Sequence, residues 1–320
     1  MGITEEMLIV LLAFILDLIF GDPQWLPHPV RWIGKVINCL ELVLRKTRLP
    51  LKVSGLFLTG IVVSMTFGIS YLVISSAYML SHYLGFIVSA LLLYTTLSAR
   101  SLFKESMKVY QDLRGDHLKA ARESLSRIVG RDTDSLDKGG IIRGAVETVA
   151  ENTVDGVIAP LIYAFLGGPV LALTYKAVNT LDSMVGYKDE RYIDLGWASA
   201  RLDDLANYLP ARLSGLLIPI AAFLCGKDWK NSFKIAARDH NNHPSPNSGI
   251  PESAMAGALR VRLGGPNYYQ GIPFLKPLIG QADNDLSVED IKEANKIMIV
   301  SSILMVISGL MLLWVGSTFS

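Results

Sequence analysis

Between Lys52 and Arg100 the chain carries no Asp, Glu, Lys or Arg. A helix crosses a bilayer with about 20 consecutive apolar residues, so this stretch predicts two spanning helices, over residues 56–80 and 84–97, with Ser81, His82 and Tyr83 at the turn. Arg45, Lys46, Arg48 and Lys52 precede it, and Arg100, Lys104, Lys108 and Arg114 follow it. Cationic flanks stay on the cytoplasmic side of a membrane, so both ends belong there and the pair forms a hairpin.

Further apolar segments lie at 297–315 and 7–20. The second follows Glu5 and Glu6 and lacks the positive start of a secretory signal, so it reads as a retained helix, interrupted by Asp17. Of 320 residues only 18% are charged, against about a quarter in an ordinary soluble domain. The net charge of +1 gives no electrostatic case for a nucleic-acid partner. Cys39 and Cys225 are far apart without a CxxC spacing, which suggests neither a disulfide framework nor a zinc site. Alternating runs rich in Val, Ile and Thr are scarce, so little sheet is expected. The expected fold class is all-α: a polytopic integral membrane protein, multi-pass in the cell membrane, with residues 1–320 as a single membrane-embedded domain.

Two departures from simple spans are expected. Residues 157–175 are uncharged but broken at 167–169 by Gly-Gly-Pro, which suits two half-helices of a re-entrant hairpin, tolerated at membrane depth where protein or a wet cavity supplies the lost backbone partners. Residues 209–225 carry Arg212 and Pro219, and spanning, tilting and re-entry all stay open. The polar segments are 99–155, 176–208 and 226–296. The first begins with two amphipathic helices separated near Gly115 and ending by Gly130.

Polar residues gather beside the apolar runs. In RGAVETVAENTVDG, residues 143–156, Arg143, Glu147, Glu151 and Asp155 recur every four residues, on one broad helix face. Like charges at that spacing repel by about 0.2–0.5 kcal/mol per pair, and no lysine is interleaved. The face is either solvated or a site for Mg²⁺, an ion commonly held by one or two carboxylates and substrate phosphates.

In YKAVNTLDSMVGY, residues 175–187, a helix aligns Lys176, Asn179 and Ser183 with Asp182 beside them. Lys176 either snorkels to the interface or serves a site. WASARLDDLANYLPAR, residues 197–212, crowds Arg201, Asp203, Asp204, Asn207 and Arg212, as ion pairs or as function. In DHNNHPSPNSGIPESAMAGAL, residues 239–259, prolines delay a helix until Pro251 or Glu252. Ser245, Asn247 and Ser248 then surround a helix N-terminus, which is either an anion site or an ordinary cap. His240 and His243 without a third ligand are weak evidence for metal. GDPQWLPHPVRWIG, residues 21–34, holds Asp22, His28 and Arg31 among prolines, and no P-loop pattern is present.

These five motifs, which run in the family's order along the chain from residue 21 to about 265, resemble the adenosylcobinamide-phosphate synthase family of cobalamin biosynthesis. The resemblance implies an integral-membrane acid–amine ligase that joins a propionate carboxyl of adenosylcobyric acid to 1-aminopropan-2-ol phosphate or a related amino alcohol phosphate, driven by ATP with Mg²⁺. Lipid and other corrinoid-pathway enzymes are the expected partners, with the polar site segments in the cytoplasm.

On that implication Glu147, Glu151 and Asp155 hold Mg²⁺ on the nucleotide, while Lys176 and Arg143 steady phosphates or developing charge. His243, Ser245, Asn247 and Ser248 hold a phosphate, Asn179 and Ser183 line the site, and Asp182 or Asp204 takes the amine's proton. A transporter, whose broken helices also place ionisable groups beside apolar runs, and a scaffold for corrinoid-processing enzymes are the alternatives.

Overall fold

The computed structural model describes residues 3–23, 25, 27–269 and 271–319. In chain order the elements are α1 (Ile3–Phe20), α2 (Pro29–Leu44), α3 (Leu51–Leu80), α4 (His82–Tyr94), α5 (Ala99–Arg114), α6 (Leu118–Ser126), α7 (Lys138–Thr153), a π-helical turn (Val154–Ile158), and α8 (Ala159–Val185). There follow α9 (Trp197–Ala206), α10 (Tyr208–Leu224), α11 (Trp229–Asp239), α12 (Gly249–Leu259), strands β1 (Arg262–Tyr269) and β2 (Ile272–Gly280), and α13 (Val288–Phe319). The protein is an all-α polytopic membrane protein: among the described residues four helical stretches are long and apolar enough to cross a bilayer, and a fifth if α9 and α10 count together.

Packing divides the chain into two compact units, interleaved in sequence. Residues 1–98, 159–207 and 306–320 make unit 1, and residues 99–158 and 208–305 make unit 2.

In unit 1, α3 and α4 pack against each other as the predicted hairpin. Leu56, Phe57, Met65, Phe67 and Leu72 on α3 remain exposed, an arrangement that fits a helix whose surroundings are lipid. Pro29 opens α2, where its missing N–H costs nothing. The apolar face of α2 then sends Ile33 and Ile37 into a core with Leu58 and Val62 of α3, Ala177, Leu181 and Val185 of α8, and Leu195. Asp17 is fully buried without interrupting α1, contrary to the expectation from sequence.

The break in α8 lies where Gly-Gly-Pro predicts it. Gly168 has φ 67° and ψ −163°, a conformation essentially restricted to glycine, and Gly167 is non-helical too. In a straight helix Tyr163 and Tyr175 would sit about 18 Å apart along the axis. Their rings instead stack at 5.0 Å, so the chain doubles back as a helical hairpin. The two hydroxyls donate to neighbouring residues, Ala206 O at 3.0 Å and Asn207 Oδ1 at 2.9 Å, which fixes both arms on the end of α9.

In unit 2, the amphipathic pair α5 and α6 buries Leu102, Val109, Leu113, Ala121 and Leu125. Asp137 caps α7, accepting from Gly140 N–H at 2.7 Å. The helix behind that cap is buried on nearly every side. Helix α12 is buried along its whole length, and it begins two or three residues earlier than the prolines suggest.

The antiparallel hairpin β1–β2, with a register shift between Leu263 and Gly265, falls inside a segment read from sequence only as polar. Gly264 makes the bulge possible: at φ 83° a Cβ there would lie 2.2 Å from Pro277 O.

Candidate functional site

In unit 2 one cleft of about 120 Å³ is lined by Ile128, Val129, Gly130 and Arg131 from the loop after α6, by Glu147, Thr148, Glu151 and Asn152 of α7, by Glu252 of α12, and by Tyr269 and Lys276 of the hairpin. That is room for several waters or a small polar group. Two cations therefore meet three carboxylates.

Both cations are already paired. Arg131 donates to Glu147 Oε2 at 2.6 Å and through Nη1 to Asn267 Oδ1. The other oxygen of Glu147 accepts the Gly264 N–H at 2.8 Å. Burial alone would lower the Arg131 guanidinium, but the adjacent Glu147 carboxylate reverses this and raises it. Lys276 Nζ lies 2.9 and 2.8 Å from the two oxygens of Glu252.

Burial would raise the Glu252 carboxyl, yet Lys276 and His243 outweigh it and hold the acid well below the usual carboxylate range. Burial pulls Lys276 the other way, and Glu252 raises it above an ordinary ammonium. These are buried ion pairs of the kind that tolerate no loss of one partner.

Glu151 differs. Its Oε1 accepts from Ser248 Oγ at 2.9 Å, and among the described residues no Lys, Arg or His forms an ion pair with it.

The segment before α12 is closed on itself. Ser245 N–H donates to His243 Nδ1 at 2.9 Å, so the ring proton sits on Nε2, 3.3 Å from Glu252 Oε1. Ser245 Oγ accepts the N–H groups of Asn247 and Ser248, both at 3.2 Å. Asn247 Oδ1 accepts from Arg212 at 2.8 Å. The N–H groups of Ile250 and Glu252 go to Asn247 O and Ser248 O, so much of the anion-binding potential foreseen at this helix start is spent within the loop.

The carboxylates of the α7 ladder do not gather into one group in this geometry. Among the described residues no three His, Cys, Asp or Glu side chains converge to hold an ion. Three physical reasons explain the difference. Each four-residue step advances about 40° around a helix. The π-helical turn holds Asp155 and shifts its register. Glu147 spends both oxygens on Arg131 and Gly264. Arg143 points to the hairpin, donating to Pro266 O at 3.0 Å, and does not line the cleft.

Lys176, Asn179, Asp182, Ser183 and Asp204 belong to unit 1. There Lys176 donates to Asn179 Oδ1 at 3.2 Å and Ser183 to Thr180 O at 2.9 Å. His240 binds Ala236 O, and Asp22 pairs with His28 at 3.1 Å.

Sequence reasoning missed Arg131, Glu252 and Lys276. A usable signal existed for Lys276, the only charge in IPFLKPLIG, since a lone lysine in an apolar strand needs a buried partner. Arg131 lies in an irregular loop and gives no such signal.

A family model described as "CobD/Cbib protein" matches residues 10–298. The chain is 56% identical over 278 residues to a protein of Geobacter metallireducens named cobalamin biosynthesis protein CobD, covering 87% of each chain. It is 49% identical to cobalamin biosynthesis protein CbiB of Salmonella paratyphi B, over 92% of this chain and 93% of that one. It is 46% identical to a CobD protein of Clostridium perfringens, over 96% and 98%. No solved structure matches. With identity at this level along nearly its full length, the chain belongs to the CobD/CbiB family.

Proposed function

We propose that this protein acts in cobalamin biosynthesis as an ATP-dependent amide synthase. It joins the propionate carboxyl of adenosylcobyric acid to the amine of 1-aminopropan-2-ol phosphate, or of a related amino alcohol phosphate, to give adenosylcobinamide phosphate. The observation that carries the reading is the cleft of unit 2. It draws its three carboxylates from two of the motifs on which the resemblance rests, RGAVETVAENTVDG and DHNNHPSPNSGIPESAMAGAL, within a chain whose relatives are named for this biosynthesis.

A carboxylate resists attack by an amine until one oxygen becomes a good leaving group, so a nucleoside triphosphate is the proposed co-substrate, with Mg²⁺ accompanying it. The residues of α7 do not fit a Mg²⁺ site held by protein alone, and no step is routed through one. What this chain supplies is a polar cleft with fixed charges, since both buried pairs keep their geometry without reorganising.

Ser245, Asn247 and His243 hold the wall that carries Ser248 and Glu252 in place. Lys176, Asp182 and Asp204 of unit 1 stay proposed participants, to be tested by substitution. The polar segments are proposed to face the cytoplasm, on the cationic flanks of α3 and α4.

Purified protein in detergent is given adenosylcobyric acid, aminopropanol phosphate and Mg²⁺, with and without ATP, and the product is followed by mass spectrometry. ATP-dependent adenosylcobinamide phosphate supports the reading. Failure of the pure protein, with activity restored by cell extract, turns it toward the scaffold.

A further inference from the structure

We propose that the cleft is the recognition site for a primary ammonium group, and that Glu151 is the residue that binds it. This rests on the amide-synthase reading for the identity of the amine, the amino alcohol phosphate, but the charge argument is independent of it.

The cleft is lined by two cations and three carboxylates. Arg131 is matched to Glu147 at 2.6 Å and Lys276 to Glu252 at 2.8 Å. One negative charge is left over, and it sits on Glu151. A single small cation restores neutrality; a second anion placed here would add to the excess.

The local geometry fits the same ligand. Ser248 Oγ donates to Oε1 of Glu151 at 2.9 Å, which restrains the carboxylate. Thr148, one turn before Glu151 on α7, and Asn152, the next residue after it, line the same cleft and supply short polar side chains. A primary ammonium has three donors and no acceptor, so a carboxylate with polar neighbours satisfies it.

Size agrees as well, since at about 120 Å³ the cleft takes a small polar group such as the end of a three-carbon amine.

The alternative occupant of an acidic side chain on α7 is a metal ion. Among the described residues no metal-holding group of three is present, because the neighbouring carboxylates are consumed by their own cations. An ammonium is satisfied by one carboxylate, whereas Mg²⁺ held by one or two carboxylates also relies on substrate phosphates, which a titration without nucleotide leaves out.

Isothermal titration of the full chain in detergent, without corrinoid or nucleotide, separates these cases. The probes are 1-aminopropan-2-ol phosphate and propan-2-yl phosphate, which lacks the amine. Glu151→Gln is expected to weaken the amine probe about ten- to hundredfold, the range for a charge-assisted hydrogen bond, and to leave the amine-free phosphate unchanged. Ser248→Ala keeps the charge but frees the carboxylate to rotate, and is expected to weaken the amine probe about threefold, so the proposal survives a misfolded Glu151 variant. Equal losses for both probes, or a changed Mg²⁺ requirement with an unchanged amine KM, overturn the assignment.

The two readings fail separately. Amine binding that depends on Glu151, in a protein that forms no corrinoid amide, leaves this assignment standing and removes the proposed reaction. Amide synthesis with a wild-type amine KM in Glu151→Gln does the reverse.

Discussion

Lys276→Met should destabilise unit 2 more than any surface substitution. Glu252 is fully buried, and its charge is held by Lys276 at 2.8 and 2.9 Å and by His243 at 3.3 Å. Removing one member of such a buried pair costs about 3–5 kcal/mol, most of it from the carboxylate left behind. For a cooperative unit of roughly 160 residues each kcal/mol moves Tm by about 2–4 °C, so the variant should melt about 6–20 °C lower in detergent at pH 7. Glu252→Gln combined with Lys276→Met removes both charges and should recover much of that loss.

The pH dependence has a definite sign. In the wild type the folded pKa of Glu252 is depressed. Its contribution is therefore present above the unfolded value near 4.3 and is lost as pH falls toward the folded one. In Lys276→Met the larger depressing charge is gone, His243 alone remains, and burial raises the same carboxyl, so the variant gains relative stability as pH falls. The gap in Tm should narrow between pH 7 and pH 4.5, read by intrinsic fluorescence. A variant that melts with the wild type, or a double variant no better than the single, would refute the reasoning.

Other substitutions follow from the same geometry. Arg131→Met strands Glu147, and should cost about 3–5 kcal/mol, with Arg131→Lys milder, both checked by thermal unfolding. Gly264→Ala places a Cβ 2.2 Å from Pro277 O at φ 83°, so the hairpin must shift; loss of stability with faster amide exchange in β1 and β2 is expected. Gly168→Ala forces a side chain into a conformation essentially limited to glycine and should cost about 1–3 kcal/mol, measured as a lower Tm of the purified protein.

The hydrophobic architecture was legible because it depends on long uncharged runs. The α3–α4 hairpin, the amphipathic α5 and α6, and the break at Gly167–Gly168 all follow from local composition. The cleft was only half legible. Glu147 and Glu151 stand out by spacing, but their partners come from distant segments: Arg131 from a loop, Ser248 from the turn before α12, Lys276 from β2. Spacing reports which side chains share a helix face and says nothing of what the rest of the fold brings to that face. The ladder consequently read as unrelieved repulsion, where the structure supplies an arginine to Glu147 and a serine to Glu151. The hairpin was hidden for a different reason: Pro266, Pro273 and Pro277 argue against strands, yet Pro266 and Pro273 are paired in register and Pro277 falls at the irregularity around Gly264.

The central claim is that this chain itself activates a corrinoid carboxyl and passes it to an amine. The most direct measurement uses adenosylcobyric acid labelled with ¹⁸O in its free carboxylate, incubated with the purified protein, ATP, Mg²⁺ and aminopropanol phosphate. If the chain forms the amide through a phosphorylated carboxyl, one labelled oxygen stays in the new amide and the other leaves in the phosphate released from the nucleotide. Amide product whose accompanying phosphate carries no label, or ATP consumption without amide, would contradict the account.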